Sequence, residues 1–259
     1  MNISKIHNEL TNNGYCVVPK VFNNEKIQAA IEDYKLIKSY HRSIQLIKGM
    51  NSNSFEVCFH TITQLESHLN LFEENILSDY LYFYFEGSFI LNTMSISELI
   101  PNSNIYTKNI HRDIRSFQGA SKLWMQAIFL LTDSTKYNGS TWMLPKNKNI
   151  IDKPSTQYFN KNSIQVKGSK GDVILFDPNL WHCSGSNNTK NSRIIMTPVF
   201  SKPFIKQQFD YSSYFGLSFP KCNSKYLAQI LGYNSKTPSS LFDWYQKYPN
   251  QRFYKPSQG

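Results

Sequence analysis

The chain has 259 residues, a formal net charge of +10 and 40% apolar residues, with aromatics making up 15% of the total. This length suits one large domain and buries enough surface to fold without a disulfide or a structural metal. The apolar content excludes a disordered or fibrous chain, and the 11 glycines and 11 prolines exclude a collagen-like or linker-dominated one.

Ile3, Ile6 and Leu10 recur at helical spacing, and Gly14 offers a stop. Tyr15-Cys16-Val17-Val18 reads as a short strand ended by Pro19. Asn23 or Asn24 caps a helix that runs to about Tyr40, with Ile27, Ala30, Ile31 and Tyr34 on one apolar face. Residues 41–60 read as irregular. Thr63-Gln64-Leu65-Glu66 has the form of a capping box, and the helix after it is expected to bury Leu65, Leu69, Phe72 and Ile76. The aromatic cluster from Tyr80 to Phe85 reads as a packed helix end or strand. From about residue 82 short β-rich runs alternate with turn signals, with strands expected at 88–97, 104–111, 123–132, 140–144, 164–167, 172–176, 180–184 and 193–200. Eight strands joined by turns such as Tyr137-Asn138-Gly139-Ser140 suit a jelly roll. Two short helices are expected near 225–231 and 240–248. The fold class is mainly β with flanking helices (α+β). A single domain over 1–259 is expected, with a helical front to about 85, a β core at 86–204 and a helical tail at 205–259.

Cys16, Cys58, Cys183 and Cys222 are far apart and form no CxxC pair, which argues against a zinc ribbon or a redox motif. They read as reduced thiols of a cytoplasmic protein. The N-terminus lacks an apolar signal region, and the longest apolar run, 127–131, is far too short to cross a bilayer. The basic residues are scattered and no block of five occurs, so nucleic acid is not the expected partner; an anionic small molecule suits the charge.

After His68 two histidines remain, His111 and His182, each in a distinctive setting. His111-Arg112-Asp113 ends an expected strand, where residues i and i+2 share a face, so an imidazole and a carboxylate are presented together. His182, from a distant strand, completes two histidines and one carboxylate, the facial triad of non-haem Fe(II) oxygenases. Such a triad leaves three metal positions open. Arg193, on the next expected strand, is placed to clamp a carboxylate bidentately, and Ser184, on the face of His182, can donate to the same carboxylate. A keto acid that chelates the metal and reaches Arg193 would be 2-oxoglutarate.

His111-x-Asp113, His182, Ser184 and Arg193, in this order, resemble the phytanoyl-CoA dioxygenase family of Fe(II)/2-oxoglutarate oxygenases. Gly14-Tyr15-Cys16-Val17-Val18 with Phe22, Asn138-Gly139-Ser140 with Pro145, Gly171-Asp172 with Phe176, and Lys202-Pro203-Phe204 extend the resemblance over about residues 10–210. It implies a double-stranded β-helix, the cupin-like jelly roll. It also implies oxidation of a second substrate coupled to decarboxylation of 2-oxoglutarate, with O2 consumed and succinate and carbon dioxide released. Halogenating relatives lack the carboxylate that stands here as Asp113, so its presence favours hydroxylation over halogenation. One departure is Pro145-Lys146-Asn147-Lys148, where the family reads Pro-Gly-Ser-His.

Asn92 and Gln126 sit on expected core strands, where an amide can bind the keto acid; either can instead face solvent. Arg115, Phe117 and Trp124 follow the first two ligands and are candidates for the substrate pocket, Arg115 toward an anionic substrate. His7, His41, His60 and His68 read as structural or surface residues. The rival readings are a cupin isomerase or epimerase without oxygen chemistry, and a non-catalytic metabolite-binding module.

Overall fold

The computed structural model describes residues 2–50, 56–73, 75–114, 121–216, 218–219 and 223–245. Helix α1 (Ile3–Asn13) starts at Asn2, whose side chain accepts from the Lys5 amide, and ends at Gly14 in the left-handed region at φ 81°. Strand β1 (Tyr15–Val18) follows as expected. Helix α2 (Asn24–Ile47), capped by Asn23, runs well past Tyr40. Its second half exposes Leu36, Tyr40, Ile44, Leu46 and Ile47. It is tied down by buried Gln45, whose Nε2 donates to the Val57 carbonyl at 2.6 Å, so no apolar stripe announces it. Val57 opens β2 (Val57–Phe59), inside the stretch that reads as irregular.

Helix α3 (Glu66–Glu73) buries Leu69 and Phe72, but Ile76 lies beyond it and is exposed. The Thr63 hydroxyl donates to the His60 carbonyl instead of forming the expected capping box. Helix α4 (Ser78–Phe85) takes the aromatic cluster. After the β region come α5 (Thr156–Asn162) and α6 (Tyr211–Phe215), both unforeseen and capped by Ser155 and Asp210. α7 (Lys225–Ile230) and α8 (Leu241–Trp244) follow near the expected places.

Strands β3 (Ile90–Leu99), β4 (Trp124–Leu130), β7 (Val173–Phe176) and β9 (Arg193–Ser201) join β1 and β2 in an antiparallel sheet of order β1-β7-β4-β9-β3-β2. A second sheet has the order β6-β5-β8, with β5 (Thr141–Met143), β6 (Ile164–Gln165) and β8 (His182–Ser184). The strand expected at 104–111 is absent. Tyr106–Lys108 forms a 3-10 turn, and only His111 bridges to a strand. Ile105 is the one buried side chain of residues 104–110, so there is no alternating face to stitch into a sheet.

The large sheet divides its residues by period two. One face carries Cys16, Met94, Ile96, Met125, Ala127, Phe129, Leu175, Ile194 and Met196, packed with Ile27, Leu69, Leu81 and Ile230 from the helices. On the other face Ile128, Leu130, Ile174 and Phe176 pack with Met143 and Val166 of the small sheet's side. The space between the sheets that these side chains leave open holds the functional residues. Cys16, Cys58 and Cys183 are buried free thiols, and Cys222 lies outside the described residues. Among the described residues no helix is long and apolar enough to cross a membrane.

Candidate metal centre

His111 and His182 lie directly opposite each other. Their backbones exchange two hydrogen bonds, His111 N to His182 O at 3.0 Å and His182 N to His111 O at 2.9 Å. The rings therefore stand side by side, with centroids 4.3 Å apart. Asp113 is held by its amide, which donates to the Pro178 carbonyl at 3.3 Å, so a local anchor and not a regular strand turns its side chain to the histidines. Asp113 Oδ1 lies 3.6 Å from His111 Nε2, and Oδ2 lies 3.5 Å from His182 Nε2. One ligand atom from each of the three residues falls within 4.8 Å of the others.

The backbone fixes both tautomers. His111 Nδ1 donates to the Asn109 carbonyl at 2.7 Å, and His182 Nδ1 donates to the Leu180 carbonyl at 2.9 Å. Each ring thus carries a proton on Nδ1, which leaves Nε2 as the nitrogen that faces the common point, as a metal-binding imidazole requires. Two imidazole nitrogens and one carboxylate oxygen on one side of a point match Fe(II) with open positions opposite.

Arg193 opens β9 in the large sheet, whereas His182 and Ser184 lie on β8 in the small one. Arg193 therefore lies on the strand after His182 but in the other sheet, and reaches across the cavity. Its Nη2 donates to Ser184 Oγ at 2.9 Å. The residue is 2% exposed, and Nε and Nη1 are buried without a hydrogen-bond partner among the described residues. Burial with no facing carboxylate pushes its pKa down to about 10, which still leaves the guanidinium charged at neutral pH. A buried cation with two unmatched donors in the cavity of the triad fits a ligand carboxylate. The residues present thus fit both iron and 2-oxoglutarate.

The cavity, of about 300 Å3, is lined by His111, Asp113, His182, Ser184, Arg193 and Gln126 among others. Gln126 is 5% exposed and its Oε1 has no hydrogen-bond partner among the described residues. Asn92 is not brought to the site. It occupies a β-bulge, where β3 pairs Leu91 with Phe200 and then Thr93 with Val199. Its Nδ2 donates to Ser201 Oγ at 3.2 Å and to the Lys206 carbonyl at 2.9 Å. Trp124 lines a separate, neighbouring cavity. Arg115 and Phe117 lie outside the described residues.

Sequence reasoning missed the cavity floor. Thr93, Ser95, Ser97 and Thr197 face inward from β3 and β9, with Ser95 and Thr197 hydroxyls 2.7 Å apart. The signal was present, since Met94 and Ile96 alternate with these hydroxyls in a central strand. Gln208 also lines the cavity, its amide donating to the Asn92 carbonyl at 3.1 Å. Nothing local to residue 208 foretells that contact. His68 is buried between the Thr61 hydroxyl and the Ala30 carbonyl, and His60 pairs with the Tyr211 hydroxyl; both are structural, as expected.

Among known proteins, an uncharacterised protein of Mycobacterium tuberculosis is 25% identical over 201 residues, spanning 78% of this chain and 72% of its own length. The dioxygenase af480 of Aspergillus fumigatus is 28% identical over 135 residues, 49% of this chain and 43% of its own. The solved structure of SnoN, a non-haem α-ketoglutarate-dependent epimerase of nogalamycin biosynthesis, superposes with a TM-score of 0.60 at 12% identity, covering 78% of this chain and 81% of SnoN. AviO1 of Streptomyces viridochromogenes superposes with a TM-score of 0.58 at 17% identity, covering 78% and 96%. These structures share the double-stranded β-helix with this chain. The phytanoyl-CoA dioxygenase (PhyH) family matches residues 10–195, a span that contains the triad, Ser184 and Arg193. The chain belongs to the phytanoyl-CoA dioxygenase family.

Proposed function

We propose that the protein is an Fe(II)- and 2-oxoglutarate-dependent oxygenase that hydroxylates a small molecule and releases succinate and carbon dioxide. The observation that carries this reading is the buried Arg193, whose two unmatched nitrogens share one cavity with His111, Asp113 and His182. In it, His111, Asp113 and His182 hold iron, and Arg193, aided by Ser184, takes the far carboxylate of 2-oxoglutarate. Gln126 supplies an amide to the keto acid. When bound, iron with 2-oxoglutarate supplies the activation of O2. The chain's own task is to hold, orient and shield. The Nδ1 bonds of both histidines keep Nε2 directed at the metal. The floor of Thr93, Ser95, Ser97 and Thr197 offers hydroxyls to polar groups of the ligands.

A cupin isomerase without oxygen chemistry has no use for Arg193. SnoN is described as an epimerase. Stereoinversion at a site of the same design is therefore the rival outcome, and product mass separates the two, since only hydroxylation adds an oxygen atom. The test is 2-oxoglutarate-dependent O2 consumption with succinate formation. Both should require Fe(II) and vanish in His111→Ala; full activity in that variant would refute the triad.

A further inference from the structure

Beside the metal cavity the described residues enclose a second one of about 430 Å3. The chain passes from the wall of one to the wall of the other at three places: Gln126 to Trp124 on β4, Phe176 to Asp177 after β7, and Asp113 to Arg112. Leu10, Tyr84, Trp124, Met125 and Leu180 give the second cavity an apolar and aromatic wall.

Three polar atoms of this wall are buried without a hydrogen-bond partner among the described residues: the Tyr80 hydroxyl, His7 Nδ1 and Asn179 Oδ1. Tyr80 is 0% exposed. Asn179 donates through Nδ2 to Asp177 Oδ1 at 3.1 Å, so Oδ1 is the acceptor left to satisfy. Buried polar atoms are almost always matched, and a cluster of unmatched ones in an apolar cavity marks a place for a ligand.

The charge of the cavity is positive. Asp177 Oδ1 is occupied by the amide and side chain of Asn179. The Arg112 guanidinium is part of the wall, bound to the Ile150 and Ile151 carbonyls and lying over the Trp181 ring at 4.4 Å. Lys122 and Lys146 remain. Lys122 Nζ lies 5.8 Å from the Tyr84 ring centroid, and its ion pair with Glu86 at 3.2 Å is exposed and therefore weak. Lys146 is exposed and stands in the segment where this chain departs from the family's Pro-Gly-Ser-His.

We propose that the second cavity binds an organic anion with an aromatic or alicyclic body. Its acid group meets Lys122 and Lys146, its ring lies against Trp124 and Tyr84, and a polar substituent reaches the unmatched atoms of Tyr80 and Asn179. The binding needs neither metal nor keto acid, so it stands apart from the function proposed above.

The test titrates the full chain, metal-free, with 6-hydroxy-2-naphthoate, 2-naphthoate and 2-naphthol, followed by probe and tryptophan fluorescence. The expected result is saturable one-to-one binding of the hydroxynaphthoate. Lys122→Met with Lys146→Met should weaken both naphthoates about tenfold and leave 2-naphthol unchanged, as loss of charge pairing requires. Tyr80→Phe should erase the advantage of the hydroxynaphthoate over 2-naphthoate. Circular dichroism confirms folding; Lys146 is exposed and Lys122 is half-buried, and neither belongs to the buried core. Equal binding by the lysine variant and wild type would overturn the proposal. So would displacement of the probe by 2-oxoglutarate, because the probe would then lie in the metal cavity.

Discussion

Arg193 is charged, 2% exposed and matched by no carboxylate among the described residues. Its burial costs stability that only a ligand returns. The sign follows from its pKa. A base whose folded value is about 10, below the ordinary 12.5, binds its proton less tightly folded than unfolded. Stability therefore rises with pH between those values, and the full cost is present at neutral pH. Arg193→Met is expected to leave the ligand-free protein at least as stable, by urea denaturation, and to weaken 2-oxoglutarate by about 2–5 kcal/mol, by calorimetry. A destabilised but normally binding variant would place the clamp elsewhere. The grouping of His111, Asp113 and His182 was legible because residue type and spacing carry the chemistry, and Arg193 lines the same cavity. Asn92 was misread because a bulge turns it out of the alternation, a feature with no signature in residues 90–94. Trp124 was legible as a cavity residue, but the cavity it lines is the neighbouring one.

Two elements show how the fold holds the site. Gly139 has φ +86°, and a Cβ there would lie 2.3 Å from Leu99 Cδ2 and 2.7 Å from the Gly185 carbonyl. Its turn leads into β5 and crosses the turn after β8, which carries His182 and Ser184. Gly139→Ala should destabilise by about 2–3 kcal/mol in chemical denaturation and lower iron occupancy, whereas a neutral effect would mean the crossing yields easily. On the helical side His68 joins α2 to the Thr61 turn through both ring nitrogens. Burial pushes its pKa down to about 4 from 6.5. Unfolded chains take up a proton as pH falls below 6.5 while the folded ring resists it, so stability drops between pH 6.5 and 4, by on the order of 3 kcal/mol. His68→Gln should show a shallower acid limb than wild type; an identical limb would assign the effect to other groups. Here the sequence was read well where periodicity is strong, as in α1, the first half of α2 and the sheet strands. It failed where single polar contacts do the holding, as with Gln45 in α2, or where no alternating face exists, as at 104–111.

Across the molecule, the large sheet turns an apolar face to the helices and a mixed face to the small sheet and the metal cavity. The jelly roll was legible because strand-length runs and turn signals repeat. The role of the tail was not, because its contacts are distant in sequence: Ile230 is 0% exposed in the helix-side core, and Gln208 lines the metal cavity. Ile230→Ala should cost about 2–5 kcal/mol in unfolding free energy, and a change below measurement would show the tail to be loosely attached. The hydroxyl floor left a trace in the alternation of Met94 and Ile96 with Thr93, Ser95 and Ser97, but a serine in a strand does not declare that its face meets a ligand. The central claim, that triad and clamp act on one metal-chelating keto acid, is open to a direct spectroscopic test. Anaerobic protein loaded with Fe(II) is titrated with 2-oxoglutarate while the visible metal-to-ligand charge-transfer band is recorded. A band that saturates in the wild type, is lost in His111→Ala and needs far more keto acid in Arg193→Met is the predicted result. Stoichiometric iron with no band at any concentration of 2-oxoglutarate would contradict it.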